Sequence, residues 1–76
     1  MDYVVESVLI ELREHPAGHV SVEREKWSSG AVTYYVAGQM QGDTTDRWCL
    51  TTDDIDEAVA YFIEVDEALR RWPQQP

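Results

Sequence analysis

The sequence has little cysteine, few basic residues and no long apolar run. Cys49 is the single cysteine, so no disulfide can form within the chain and a reducing compartment is expected. Six Lys and Arg residues stand against fifteen Asp and Glu residues, and the net charge of −9 repels nucleic acid phosphates and anionic lipid. The N-terminus lacks the features of a signal peptide, and no stretch is long enough to span a bilayer. We therefore expect a cytoplasmic protein with a basic protein partner and no direct contact with nucleic acid or membrane.

What is present is typical of a folded domain. The 76 residues are 43% hydrophobic and include three Trp and four Tyr. A chain of this length buries only about 60–65% of the surface that it exposes when unfolded, so deep pockets are not expected. No internal repeat, low-complexity tract or linker divides it. The prediction is one domain over residues 1–76, with a loose tail at residues 73–76.

The first segment has apolar residues at helical spacing. Val5, Val8, Leu9 and Leu12 recur at this period, and Pro16 follows where a helix would end. The pattern predicts a first helix over residues 2–14. Tyr3, Ile10 and Glu14 would then share its opposite side, where two apolar residues on a wet face indicate a contact strip.

The middle of the chain alternates with the period of strands. Strands are predicted over residues 20–27, 32–40 and 48–50, with turns at residues 28–30 and 41–43, as in an antiparallel meander. If the side that bears Val32, Tyr34, Trp48 and Leu50 faces inward, the other side is lined by Tyr35, Ala37, Arg47 and Cys49. A shift of one residue would exchange the two sets.

A second helix is predicted from Asp53 onward, because the hydroxyls and carboxylates of residues 51–54 suit a helix start and Pro73 follows its end. Its predicted buried stripe is Ile55, Ala58, Val59, Phe62, Val65 and Leu69. The fold class is therefore α+β, in the order α-β-β-β-α, with two helices packed on one face of a three-stranded sheet.

Negative charge is concentrated in this second helix. Residues 53–69 hold seven of the acidic residues and no Lys or Arg. Five acids fall opposite the apolar stripe and form what we call the acidic ridge: Asp53, Asp56, Glu57, Glu64 and Glu67. At 1.5 Å per residue the ridge would extend about 21 Å. One interpretation is a solvated helix face; the other is a surface that binds a basic partner, with Tyr61, Tyr3 and Ile10 as further contacts.

No pattern indicates catalysis, a metal site or a cofactor. His15 and His19 are separated by Pro16 and Gly18, so they would not share a helical face. The acids at residues 53–57 lack the glycine of a calcium loop and instead open a helix. No phosphate-binding loop or catalytic triad is recognisable. We therefore expect a protein that is not an enzyme.

The meander followed by Thr52-Asp53-Asp54-Ile55-Asp56-Glu57-Ala58 resembles the arm-binding N-terminal domains of phage integrases. That resemblance implies a DNA-binding sheet, but this sheet offers only Arg24, Lys26 and Arg47 as bases. In length, acidity and mixed topology the chain is also similar to small phage anti-CRISPR proteins and other DNA-mimic inhibitors. This second resemblance implies an inhibitor that occupies the DNA path of a CRISPR effector. The alternative is an antitoxin-like or accessory interaction module that uses the open sheet face, as a monomer or homodimer.

Overall fold

The computed structural model describes residues 1–72, which form four strands and one helix. The elements are β1 (Val4–His15), β2 (Gly18–Trp27), β3 (Val32–Met40), β4 (Trp48–Thr52) and α1 (Ile55–Arg71). The strands form one antiparallel sheet in the order β1-β2-β3-β4. The class α+β is confirmed. The predicted tail at residues 73–76 lies outside the described residues.

The predicted first helix is wrong, and with it the order α-β-β-β-α. Residues 4–15 form a strand whose pairing with β2 shifts register between Val4 and Glu6 and again between Leu9 and Glu11. In a regular strand, residues three apart lie on opposite faces. The extra residue Ile10 instead puts Leu9 and Leu12 on one face, because their partners Glu23 and Ser21 are two apart. The irregularities therefore allow a strand to contain apolar residues at a spacing that resembles the helical period.

The turn between β1 and β2 explains Pro16, which was interpreted as a helix end. Pro16 and Ala17 join the two strands, and His15 pairs with Gly18 across them. A Cβ on Gly18 would lie 2.0 Å from the backbone oxygen of Gln39. The sheet therefore needs glycine here because β3 approaches the turn too closely for any side chain.

The core lies between α1 and the middle of the sheet. It consists of Ala17, Val20, Val22, Val36, Ala58, Phe62, Val65 and Leu69. We call the sheet face that α1 covers the inner face and the opposite one the outer face. Helix α1 packs mainly on β2, β3 and β4 and contacts β1 least. Gly38 lets α1 approach the sheet, because a Cβ there would lie 2.8 Å from Cγ1 of Val65.

The register of the sheet agrees with the first of the two alternatives left open by the sequence. Tyr34, Trp48 and Leu50 are half-buried against the core, and Cys49 is exposed on the outer face. Val32, which was assigned to the inward set, is 36% exposed because it lies at the start of β3. Two members of the predicted helix stripe, Ile55 and Val59, are about half exposed, since the buried line of α1 is narrower than predicted.

Helix α1 begins two residues later than predicted. Asp54 is its N-cap, and Oδ1 of this side chain accepts hydrogen bonds from the backbone N–H groups of Asp56 and Glu57. Asp53 therefore precedes the helix. Arg70 and Arg71 occupy the last turn, where cations complement the helix dipole. Within residues 1–72, no helix is long and apolar enough to cross a membrane.

Candidate protein-binding surfaces

All five residues of the acidic ridge are exposed. Asp56, Glu57, Glu64 and Glu67 lie on the side of α1 that faces away from the sheet, and Asp53 lies just before the helix. From Asp56 to Glu67 the helical part of the ridge extends about 17 Å, slightly less than predicted, because Asp53 is not helical. The structure therefore brings these carboxylates together on one surface.

The ridge has almost no internal charge compensation. Glu67 lies 3.4 Å from Nη2 of Arg70, and both side chains are at least half exposed. Glu57 accepts a hydrogen bond of 2.5 Å from the Thr52 hydroxyl, which leaves its charge in place. Across the described part of the chain, Asp53, Asp56 and Glu64 form no ion pair. Such an exposed run of like charge costs stability in the isolated protein.

The other three residues predicted to bind a partner are not all near the ridge. Tyr61 is half-buried beside the core and lines a surface depression with Leu50, Glu57 and Glu64, so it adjoins the ridge. Tyr3 lies at the open end of the β1–β2 hairpin, away from its turn at residues 16–17. Its backbone N–H donates a hydrogen bond to the Ser28 hydroxyl there. Ile10 lies in β1 and is 50% exposed. The predicted contact strip of Tyr3, Ile10 and Glu14 is wrong because it required a helix there.

A polar contact between β1 and α1 was missed by the sequence analysis. His15 Nε2 lies 2.6 Å from Asp66 Oδ1, and both side chains are about 15% exposed. Arg13 Nη1 lies 3.7 Å from Asp66 Oδ2, and the Arg13 guanidinium is 5.7 Å from the centre of the Phe62 ring. Asp66 differs from the ridge acids because it faces the sheet. The signal in the sequence was its position at helical spacing from Phe62 and Leu69.

The outer face of the sheet carries a second polar cluster. The Tyr35 hydroxyl donates a hydrogen bond of 2.6 Å to Asp46, whose other oxygen accepts one from the Gln39 amide. The hydrogen bond to Asp46 raises the pKa of Tyr35 from 10.0 to about 12. Farther along this face, Trp27 Nε1 donates to the Thr33 hydroxyl. These contacts hold aromatic side chains in fixed positions on an open face.

Arg47 and Asp43 lie in the connection between β3 and β4, beside this face. Arg47 was predicted to line the exposed side, and it forms two hydrogen bonds with Asp43 at 3.0 and 3.1 Å. The pKa of Asp43 is lowered by a hydrogen bond from the backbone N–H of Met40 and then by Arg47. One of the few cations of the chain is thus already paired.

Residues 1–72 contain no group of three or more His, Cys, Asp or Glu side chains placed to hold a metal ion. Comparisons with protein-family models, with curated proteins and with solved structures found no match.

Proposed function

We propose that the protein is a small acidic inhibitor that binds a basic, nucleic-acid-binding surface of another protein and blocks DNA from it. The observation that carries this proposal is the acidic ridge: exposed carboxylates along α1 with almost no compensating cation. In this role the protein acts in the cytoplasm, and the DNA path of a CRISPR effector is the target that its profile best fits.

The geometry of the ridge suits such a target. Neighbouring carboxylates along the ridge are separated by about one or two turns of α1, roughly 5 to 11 Å, and the helical part of the ridge extends about 17 Å. Duplex DNA carries one charge per about 1.7 Å of its axis, so a groove that binds DNA presents several cations over the same length. The helical part of the ridge therefore places four carboxylates over a length at which such a groove presents several cations.

The energetics point the same way. Like charges on one helix face repel each other by a few tenths of a kcal/mol per pair, and a basic partner would remove this cost on binding. Steering by opposite charge also raises the association rate, an effect that falls steeply with ionic strength. Binding should therefore weaken strongly as salt is added.

The proposal is tested by competition with DNA. Labelled DNA is bound to each member of a panel of purified DNA-binding proteins that includes a CRISPR effector complex, and displacement by the acidic protein is measured by fluorescence anisotropy. We expect the acidic protein to displace labelled DNA from at least one member of the panel. Changing all five acids of the ridge to Asn or Gln should abolish this displacement. Three exposed charge contacts contribute about 1–3 kcal/mol, so D56N/E64Q/E67Q should weaken competition about 5-fold to 160-fold.

A matched control separates the ridge from net charge. The variant E14Q/E23Q/E25Q removes three acids from β1 and β2 and reaches the same net charge of −6. It should compete like the unmodified protein. Equal losses in the two triple variants, or no displacement from any member of the panel, would reject the ridge as the binding surface.

The second candidate is an antitoxin-like or accessory module, and the open outer face favours it. Tyr35 and Cys49 lie on that face, and nothing in the described residues covers it. A partner bound there would be held mainly by apolar and hydrogen-bonding contacts. Its dissociation constant would barely change with ionic strength, whereas binding through the ridge would weaken steeply.

A further inference from the structure

Strand β1 contributes no apolar side chain to the core of the monomer. None of its residues belongs to the core cluster, and its large apolar side chains are 39% to 55% exposed. These residues are Val4, Val5, Val8, Leu9, Ile10 and Leu12. Removing such side chains from water contributes about 25 cal/mol for each Å² of apolar area. Six of the exposed large apolar residues of the described chain therefore lie on one strand.

This strand is also an exposed edge of the sheet. In the order β1-β2-β3-β4, β1 has a neighbour on one side only, so one row of its N–H and C=O groups faces outward along 12 residues. Helix α1 packs over β2, β3 and β4 and contacts β1 only near its hairpin end, at Arg13 and His15. The shape reflects this arrangement: the radius of gyration is 13.5 Å, against about 11 Å for a compact chain of this length.

We propose that β1 is the pairing edge of a homodimer, in which two copies of β1 lie antiparallel and join two four-stranded sheets into one of eight strands. The two-fold axis is perpendicular to the sheet and passes near Leu9. Both α1 helices then lie on the same face of the joined sheet. This inference stands independently of the proposed function.

A second copy fits this edge because antiparallel pairing of β1 with the β1 of another copy produces a closed dimer. The same edge is used in both molecules, and only the two β4 strands remain as outer edges. Pairing β1 with β4 would be head-to-tail and open-ended, and β4 has five residues against the 12 of β1. The closed arrangement covers the long apolar edge and leaves the short one outside.

One pair of charged residues in β1, Glu6 and Arg13, is complementary to itself in this register. Arg13 lies 2.7 Å from Glu11 in the monomer, but its side chain is 53% exposed and can also meet a carboxylate of a second copy. In the ladder with β2, Glu6, Leu9 and Arg13 lie opposite Lys26, Glu23 and Val20. Glu6 and Arg13 are therefore each three ladder positions from Leu9, in opposite directions, and both lie on the inner face. Pairing centred on Leu9 sets Glu6 of each copy across from Arg13 of the other. It also sets Ser7 across from Leu12 and places the two Ile10 irregularities symmetrically about the axis.

The first test is the mass in solution, measured by sedimentation equilibrium over a range of concentrations. The expected species has twice the chain mass of 8.8 kDa. Leu9→Lys places a charge at the centre of the pairing and should raise the dissociation constant at least about 30-fold, the effect of an interface hot spot. Ile55→Lys, at an equally exposed residue of α1, is the matched control and should leave the dimer unchanged.

The second test reads the register and does not require the charged variant to fold. Leu9→Cys is made in a Cys49→Ser background and oxidised. Directly opposed residues of antiparallel strands have Cα atoms about 4.5–5.5 Å apart, which suits a disulfide. A disulfide-linked dimer is expected for Leu9→Cys and not for Val59→Cys in the same background. A monomer at all concentrations up to about 1 mM, or a dimer indifferent to Leu9→Lys, would overturn the inference.

Discussion

His15 at the end of β1 and Asp66 in α1 are 51 residues apart in sequence, yet Nε2 of one lies 2.6 Å from Oδ1 of the other. A carboxylate only accepts hydrogen bonds, so Nε2 is the protonated nitrogen. This contact, together with Arg13, ties the hairpin end of β1 to the helix that completes the core. It is the main polar link between the edge strand and α1.

The first prediction concerns this link. Asp66→Ala leaves His15 without its acceptor in a place where both side chains are about 85% buried, and should lower the free energy of unfolding by about 1–3 kcal/mol. Urea denaturation followed by circular dichroism measures the change. Glu67→Ala, at the next residue, is exposed and should alter stability by less than about 0.5 kcal/mol. Equal effects would show that the contact does not stabilise the fold.

The second prediction concerns the ionisation of Tyr35. Its pKa of about 12 should appear as one tyrosine that titrates late when absorbance near 295 nm is followed with pH. Because the folded pKa is raised, the protonated phenol stabilises the fold below pH 10, and this contribution is lost as the pH rises from 10 to about 12. Tyr35→Phe should remove the late step and Asp46→Asn should move it toward pH 10. A late step that survives Tyr35→Phe would belong to another residue.

The third prediction concerns the close approach at Gly18. In Gly18→Ala the new Cβ would meet the backbone oxygen of Gln39 at 2.0 Å, and two paired strands cannot shift freely to make room. The loss should be about 3 kcal/mol or more. Gly30→Ala is the comparison, because Gly30 has a φ of +94° and open space around it. Backbone strain alone should cost about 1–2 kcal/mol there, so the order of the two losses in urea denaturation is the decisive result.

The fourth prediction concerns the start of α1. Asp54→Ala removes the side-chain acceptor for two backbone N–H groups and should cost about 1 kcal/mol of stability. Asp53→Ala changes the same charge one residue earlier, outside the cap, and should cost less than half as much. If the two variants unfold at the same urea concentration, the effect is one of charge near the helix and not of capping.

Much of the fold was readable in the sequence. The alternation of residues 20–27 and 32–40 predicted β2 and β3, and the stripe of Ala58, Phe62, Val65 and Leu69 predicted the buried line of α1. The exposure of the acidic ridge also followed from helical spacing alone. Each of these features depends on residues near one another in the chain, where the period of the apolar residues and the period of the structure coincide.

The sequence by itself determined the β2–β3–β4 meander, the C-terminal helix and the concentration of negative charge on that helix. Only the tertiary structure decided the conformation of residues 4–15, the partner of His15 and the exposure of Ile55 and Val59. The physical reason is that a strand is defined by hydrogen bonds to another strand. In β1 the extra residue Ile10 breaks the two-residue period of a regular strand. Which side chains share a face is therefore determined by the pairing with β2 and cannot be found from a local pattern.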